Sequence, residues 1–378
     1  MTDEEQTAVR GTVRPGFESL QAEFAAVLAA DPEHAAQLAV YHRGRLVADL
    51  WGGPELAGTT LTGVFSSSKG VAALVLALLV SRGELDVHRE VRHYWPEFAA
   101  HGKGEISVHQ LVSHQSGAIG VEGGLTPEEL ADDAAIAERL AGHRPYWRPG
   151  AAFGYHALTM GALTAEIVRR VSGLTLRAAY DAWIREPFGV DCHLGLPAAE
   201  EPRVRSILPP RPAPPSDQLP EAPDSLGGIS GNRHHRAAPT VLHELPNSRL
   251  MRAGGQSSVA GLASARGLAR LYAAAVTGVD GREPLLDRET VWLCGQPHTT
   301  GHDLVLGMQR THSLGFLLSG AHLPAGTFGH DGAGGSVAFA APAADLAFGY
   351  TRRRFAGGFA PEGNHLAAVA ARAARAAG

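Results

Sequence analysis

Ser66 and Lys69 stand three residues apart in "FSSSKG", directly ahead of the apolar run "VAALVLALLV". On a helix this spacing puts both side chains on one face, a turn apart, so a hydroxyl and an amine come within hydrogen-bonding reach. Such a pair is a nucleophile beside its base, provided the amine can shed its proton near neutral pH. A helix N-terminus and an apolar surround both disfavour the ammonium form. Arginine cannot do this work, and lysine occurs only at positions 69 and 103, against 31 arginines. The competing reading is structural: serines before an apolar run cap helices, and a lysine stem can lie on apolar surface with its amine in water. Against that reading, an ammonium in the first turn of a helix opposes the helix dipole.

Two further stretches could complete such a site. In "YWRPGAAFGYHALTMG", Tyr155 follows a Trp147-Arg148-Pro149-Gly150 turn and precedes an apolar helix. Its phenol could share protons with Lys69 and pass one to a leaving group, and Trp147 is a candidate substrate contact. In "FGHDGAGGSVAF", the glycines let backbone approach a substrate closely. The N–H of Ala333 with that of Ser66 could then form an oxyanion hole, and His330 and Gly332 are candidate substrate contacts. Taken alone, Tyr155 reads equally as a core tyrosine and the glycines as a turn between strands.

These residues need elements to hold them. "FESLQAEFAAVLAA" has helical periodicity, and "LAVYHRG" and "RLVADLWGG" read as a hairpin turning at Gly44. Ser66 to Val80 reads as a buried helix. Further helices are expected over 127–140, 157–171, 176–185 and 263–276. Strand patterns return in "HSLGFLLSG", "GSVAFAAP" and "DLAFGYTRR", and an alanine-rich helix runs from Gly363 onward. Residues 1–65 and 300–378 are therefore expected to build one α/β domain from both ends of the chain. Residues 66–299 are expected to form a mainly helical domain with a Pro-rich loop at about 200–232.

Composition narrows the partners. The 378 residues are 44% hydrophobic and 19% charged, enough for a large core in two lobes. A net charge of −5 and dispersed arginines offer no surface for nucleic acid. No apolar run reaches the roughly 18 residues of a membrane span, and the polar, acidic start carries no signal-peptide pattern, so a cytoplasmic location is expected. Two cysteines make no disulfide framework, and the 19 histidines show no metal-binding spacing, so neither metal nor organic cofactor is implied. Nothing in the sequence fixes an oligomeric state.

Taken together and in this order, Ser66-x-x-Lys69, "ISVHQLVSHQSG", the Trp-x-Pro-Gly turn leading to Tyr155, "GLARLYAA" and the His-x-Gly ending resemble the serine β-lactamase-like superfamily. The nearest likeness is to the class C β-lactamase-related family VIII carboxylesterases, and it spans nearly the whole chain. The resemblance implies an α+β fold with an antiparallel sheet flanked by helices and an inserted, mainly helical domain. It implies Ser66 as nucleophile and Lys69 and Tyr155 as the proton-handling pair. The chain departs from the β-lactamase pattern in two motifs: Tyr155-His156-Ala157 replaces Tyr-x-Asn, and His330-Asp331-Gly332 replaces Lys-Thr-Gly. A β-lactam carboxylate would lose two contacts, so a small-molecule ester or acyl substrate is expected. Acyl transfer to an alcohol or amine, amide or weak β-lactam hydrolysis, and an inert binding relative are the alternatives. A Ser-His-Asp hydrolase with His330 or His114 as base is disfavoured, because no Gly-x-Ser-x-Gly elbow occurs.

Overall fold

Arg43 and Gly44, with φ of 51° and 71°, turn the chain between β2 (Ala36–His42) and β3 (Arg45–Gly52), the hairpin expected at Gly44. The computed structural model that shows this describes residues 8–212, 221–318, 322–357 and 360–377. The other main-sheet strands are β1 (Arg10–Val13), β7 (Thr299–His302), β8 (Gln309–His312), β9 (Leu317–Leu318), β10 (Phe328–Asp331), β11 (Val337–Ala341) and β12 (Leu346–Arg352). They pair antiparallel throughout in the order β1-β3-β2-β12-β11-β10-β9-β8-β7. Strands from the two ends of the chain meet at β2 and β12, whose register runs from Ala36↔Arg352 to His42↔Leu346. A small second sheet joins β4 (Thr62–Gly63), β6 (Leu262–Ala263) and β5 (Cys192–His193).

Period-two alternation gives the main sheet two different faces. Leu38, Val40, Phe339, Phe348 and Tyr350 point into one core, which helices α1 (Glu18–Ala29) and α6 (Pro361–Ala376) close. Ala39, Ala338, Ala340 and Ala347 point the other way, toward α5 (Ala265–Val276). These small residues let α5 lie close to the strands. At Gly349 a methyl would overlap the main chain of Ala265 and Ala269, so the glycine is required by proximity. Helix α5 thus comes from the 66–299 stretch yet packs on the sheet, a placement that its sequence position alone does not suggest.

Helix α2 (Ser67–Ser81) is buried on all sides between the sheet and α4 (Met160–Ser172), which accounts for its lack of a polar face. The helix expected over 127–140 is two: Pro127–Leu130 and α3 (Asp133–Gly142). Asp132 separates them, because its carboxylate caps the Ala134 N–H at 2.9 Å and starts a new helix. Of the expected Pro-rich loop, residues 213–220 lie outside the described residues, and the remainder holds two short helical segments, Ala198–Arg203 and Leu226–Ser230. Among the described residues no helix is long and apolar enough to cross a membrane.

Phe339 is 1% exposed and stacks on Phe348 at 5.1 Å between ring centroids, on the face away from α5. Phe339→Ala is expected to cost about 3–5 kcal/mol, since the rigid sheet cannot collapse into the void. Urea unfolding followed by circular dichroism reads this directly, as a lowered midpoint at unchanged slope.

Candidate active site

The three serines of "FSSSKG" do three different things. Ser67 Oγ donates to His330 O at 3.1 Å and bonds Ser336 Oγ at 3.0 Å, tying the start of α2 to β10. Ser68 Oγ donates to Phe65 O at 2.6 Å and accepts the Gly261 N–H at 2.9 Å, tying it to the small sheet. Ser66 occupies the N-cap position of α2 but makes no capping bond, so its hydroxyl is left for other partners. The residue before it, Phe65, has φ of 49° and is fully buried, a left-handed conformation held by packing against Phe355.

Lys69 is 2% exposed. Its Nζ lies 3.1 Å from Ser66 Oγ and donates to Ala157 O at 2.6 Å and Ser258 O at 2.9 Å. A neutral amine has two N–H bonds and one lone pair. With both N–H groups on carbonyls, the lone pair faces the Ser66 hydroxyl. Burial pushes the amine down to about 7, opposed by the Asp331 carboxylate, which favours the charged form. The second lysine, Lys103, is also buried, with Nζ on the carbonyls of Ala100 and His143 at 2.8 and 2.5 Å, but no hydroxyl is bonded to it.

Tyr155 sits across from this pair, with Lys69 Nζ 5.0 Å from its ring centroid. Burial holds its phenol above the ordinary tyrosine range, opposed in part by a hydrogen bond to Ser66. Its backbone is pinned on both sides: Ser230 Oγ donates to Tyr155 O at 2.6 Å and accepts the Ala157 N–H at 2.8 Å, while Tyr155 N–H donates to Asp303 Oδ1 at 3.0 Å. Buried imidazoles back the ring. His156, which stands within the departing Tyr-x-Asn motif, donates Nδ1–H to Gly154 O at 2.7 Å and accepts from Ser116 Oγ at 2.7 Å, so it is an anchor. Burial pushes it down to about 4, which keeps it neutral. Among the described residues no group of three His, Cys, Asp or Glu is arranged to hold a metal ion.

Ser66, Tyr155, Asp331, Gly332 and Ala333 line a pocket of about 280 Å³ together with Leu306, Met308, Arg310 and Leu317. Gly332 has no room for a methyl, which would overlap Val64 O and Ser336 Oγ, so the 332–336 turn rests directly on the Val64–Phe65 turn. The N–H groups of Ser66 and Ala333 lie at these two turns, and both residues line the pocket. The main-chain hydrogen bonds of the two turns engage neither group. Two expected substrate contacts, His330 and Trp147, are not among the residues that line this pocket. His330 is 3% exposed, and its Nδ1–H is spent on Asp331 O at 2.7 Å, because on β10 it faces inward while its neighbour Asp331 faces the pocket. Trp147 does not reach the pocket wall. It packs edge-on against His156 and donates to Gln115 O at 3.3 Å.

With this geometry in place, the family model described as Beta-lactamase matches residues 22–372. The chain belongs to the beta-lactamase family. Within it, the chain is 31% identical over 373 residues to Esterase/beta-lactamase LipL of Mycobacterium tuberculosis, covering 92% of this chain and 83% of LipL. EstA from Arthrobacter nitroguajacolicus Rue61a is 42% identical, with a TM-score of 0.91 over 98% of this chain and 100% of EstA. A structure described as a family VIII carboxylesterase is 30% identical, with a TM-score of 0.87 over 97% and 100% of the two chains. The antiparallel sheet with helices on both faces is the beta-lactamase/transpeptidase-like fold.

Proposed function

We propose that this beta-lactamase-family protein is a serine carboxylesterase that works through an acyl-serine intermediate. The observation that carries the reading is the Lys69 amine, held on two carbonyls with its remaining valence on Ser66 Oγ. Ser66 Oγ attacks the ester carbonyl carbon as its proton passes to Lys69. The carbonyl oxygen becomes an oxyanion, which the N–H groups of Ser66 and Ala333 stabilise. The C–O bond to the alcohol then breaks, and Tyr155, protonated because of its burial, relays the proton from Lys69 to the departing alkoxide. Water repeats the sequence on the acyl-serine and releases the acid. A relative named as an esterase at 31% identity and a structure described as a family VIII carboxylesterase at 30% support the same reading, as does a pocket lined in part by Leu306, Met308 and Leu317.

Brief exposure to p-nitrophenyl butyrate followed by intact-mass measurement tests it, with nitrophenol release recorded in parallel. Wild type is expected to release nitrophenol and carry a butyryl adduct under rapid quench, and Ser66→Ala to do neither. Equal, slow release by both proteins with no mass gain would leave an inert relative as the better description.

A further inference from the structure

Asp303 closes strand β7 and is 0% exposed, an unusual setting for a carboxylate. One of its oxygens, Oδ1, accepts three main-chain N–H groups: Tyr155 at 3.0 Å, Val305 at 2.8 Å and Leu306 at 2.9 Å. The 303–308 turn also closes on itself, with Asp303 N donating to Met308 O and Gly307 N to Asp303 O, both at 2.9 Å. Leu304 N donates to Phe153 O at 3.1 Å, a second tie to the Tyr155 segment. Among the described residues the other carboxylate oxygen, Oδ2, has no hydrogen-bond partner and lies 3.9 Å from His312 Nε2, which has none there either. The His312 ring in turn stacks on Tyr155, 6.3 Å between centroids at 19°. Burial pushes the Asp303 carboxyl up, but His312 and the three N–H groups outweigh it and hold it below its ordinary value.

The two things joined by this carboxylate meet in the pocket. Tyr155 and Ser66 line it, and so do Leu306 and Met308. Leu304, Leu306 and Met308 are also three of the large apolar side chains left exposed among the described residues, at 43%, 40% and 36%. An apolar wall of half-exposed side chains at the pocket offers a surface for a chain attached at Ser66. The acyl group is the part of an ester that stays on Ser66 through both half-reactions, so it is the part such a wall can act on throughout.

Resting on the esterase reading above, we propose that Asp303 is a positioning residue that sets Tyr155 in register with the Leu306–Met308 wall, and that this wall takes the apolar chain of the acyl group. One carboxylate oxygen fixes both the proton-handling ring and the surface that orients the ester. Loss of that oxygen lets the two drift apart, and displacement of about 1 Å between reacting groups costs roughly 10²-fold in rate.

The test measures kcat and KM on ethyl acetate, ethyl butyrate and ethyl octanoate, whose alkoxide needs the Tyr155 proton, for wild type, Asp303→Ala, Asp303→Asn and Leu306→Ser. Rates are expressed per titratable Ser66, so loss of folded protein does not enter. Asp303→Ala is expected to lower kcat on all three esters by roughly 10²-fold and to flatten the preference among them. Asp303→Asn, which keeps an oxygen where Oδ1 stands, is expected to recover about tenfold of that loss, because a neutral amide oxygen still accepts N–H groups. Leu306→Ser is expected to lower the butyrate-to-acetate ratio of kcat/KM by about tenfold. Unchanged kcat and preference in Asp303→Ala, or an unchanged ratio in Leu306→Ser, overturns the proposal while the esterase reading stands. If Asp303→Ala does not fold, the asparagine and serine variants decide: a ratio unchanged in Leu306→Ser still overturns it. Wild type that neither turns over acetate nor is acylated would instead sink the esterase reading itself.

Discussion

Lys69→Arg is expected to lower kcat/KM on p-nitrophenyl butyrate by roughly 10²–10⁴-fold, the range that a positioned base contributes. The substitution keeps the charge and removes the chemistry, since a guanidinium stays protonated at any accessible pH. It also brings a larger, planar group into a space where Nζ is held at 2.6 and 2.9 Å from two carbonyls. The wild-type pH profile carries the same information. Because burial pushes the Lys69 amine down to about 7, the lone pair is present above that pH and absent below it. Activity should therefore rise through about 7 to a plateau and fall about tenfold for each unit on the acid side. A profile that is flat across that range, or an arginine variant with wild-type rate, would remove Lys69 from the role of base.

Tyr155→Phe is expected to lower kcat by roughly 10²–10³-fold on simple alkyl esters and by clearly less on p-nitrophenyl esters. Burial keeps the phenol protonated, and the role proposed for it is to hand a proton to the departing alkoxide. An alkyl alkoxide needs that proton, whereas nitrophenolate leaves without it. Parallel kcat measurements on ethyl and p-nitrophenyl butyrate decide the matter. Equal losses on the two would mean that Tyr155 acts before the leaving group departs.

The Ser66–Lys69 pair was legible because a helix turns spacing into proximity, and the apolar run after it announced a helix. Tyr155 was legible as a member of a motif series, though its local sequence alone would have suited a core tyrosine. Ala157 and Ser258 hold the lysine through their carbonyl oxygens, which every residue possesses, so no side-chain pattern could announce them. Asp303 escaped notice for a related reason: its partners are main-chain N–H groups of residues 155, 305 and 306. The expectation named His330, whereas the pocket is lined by its neighbour Asp331. In a strand, neighbours face opposite ways, and whether His330 or Asp331 meets the pocket depends on the pairing of β10 with β11 across Phe328↔Ala340 to Asp331↔Val337. The hairpin at Gly44 and the long buried helix were readable because turn residues and apolar runs act locally. The packing of α5 against an alanine face of the sheet depends on residues some 70 or more positions away, such as Ala347 and Gly349.

Both lysines lie in the interior, which has a bearing on how the molecule survives its own reagents. Activated esters acylate free surface amines without any catalyst, and the side chains that would take that damage are absent from the exterior here. The outer cations are guanidinium groups, which stay protonated and do not react. A protein proposed to gather reactive esters at Ser66 thus presents them with a surface free of lysine amines. For the same reason, attachment to amine-reactive supports finds no lysine to hold, and oriented immobilisation has to use other chemistry.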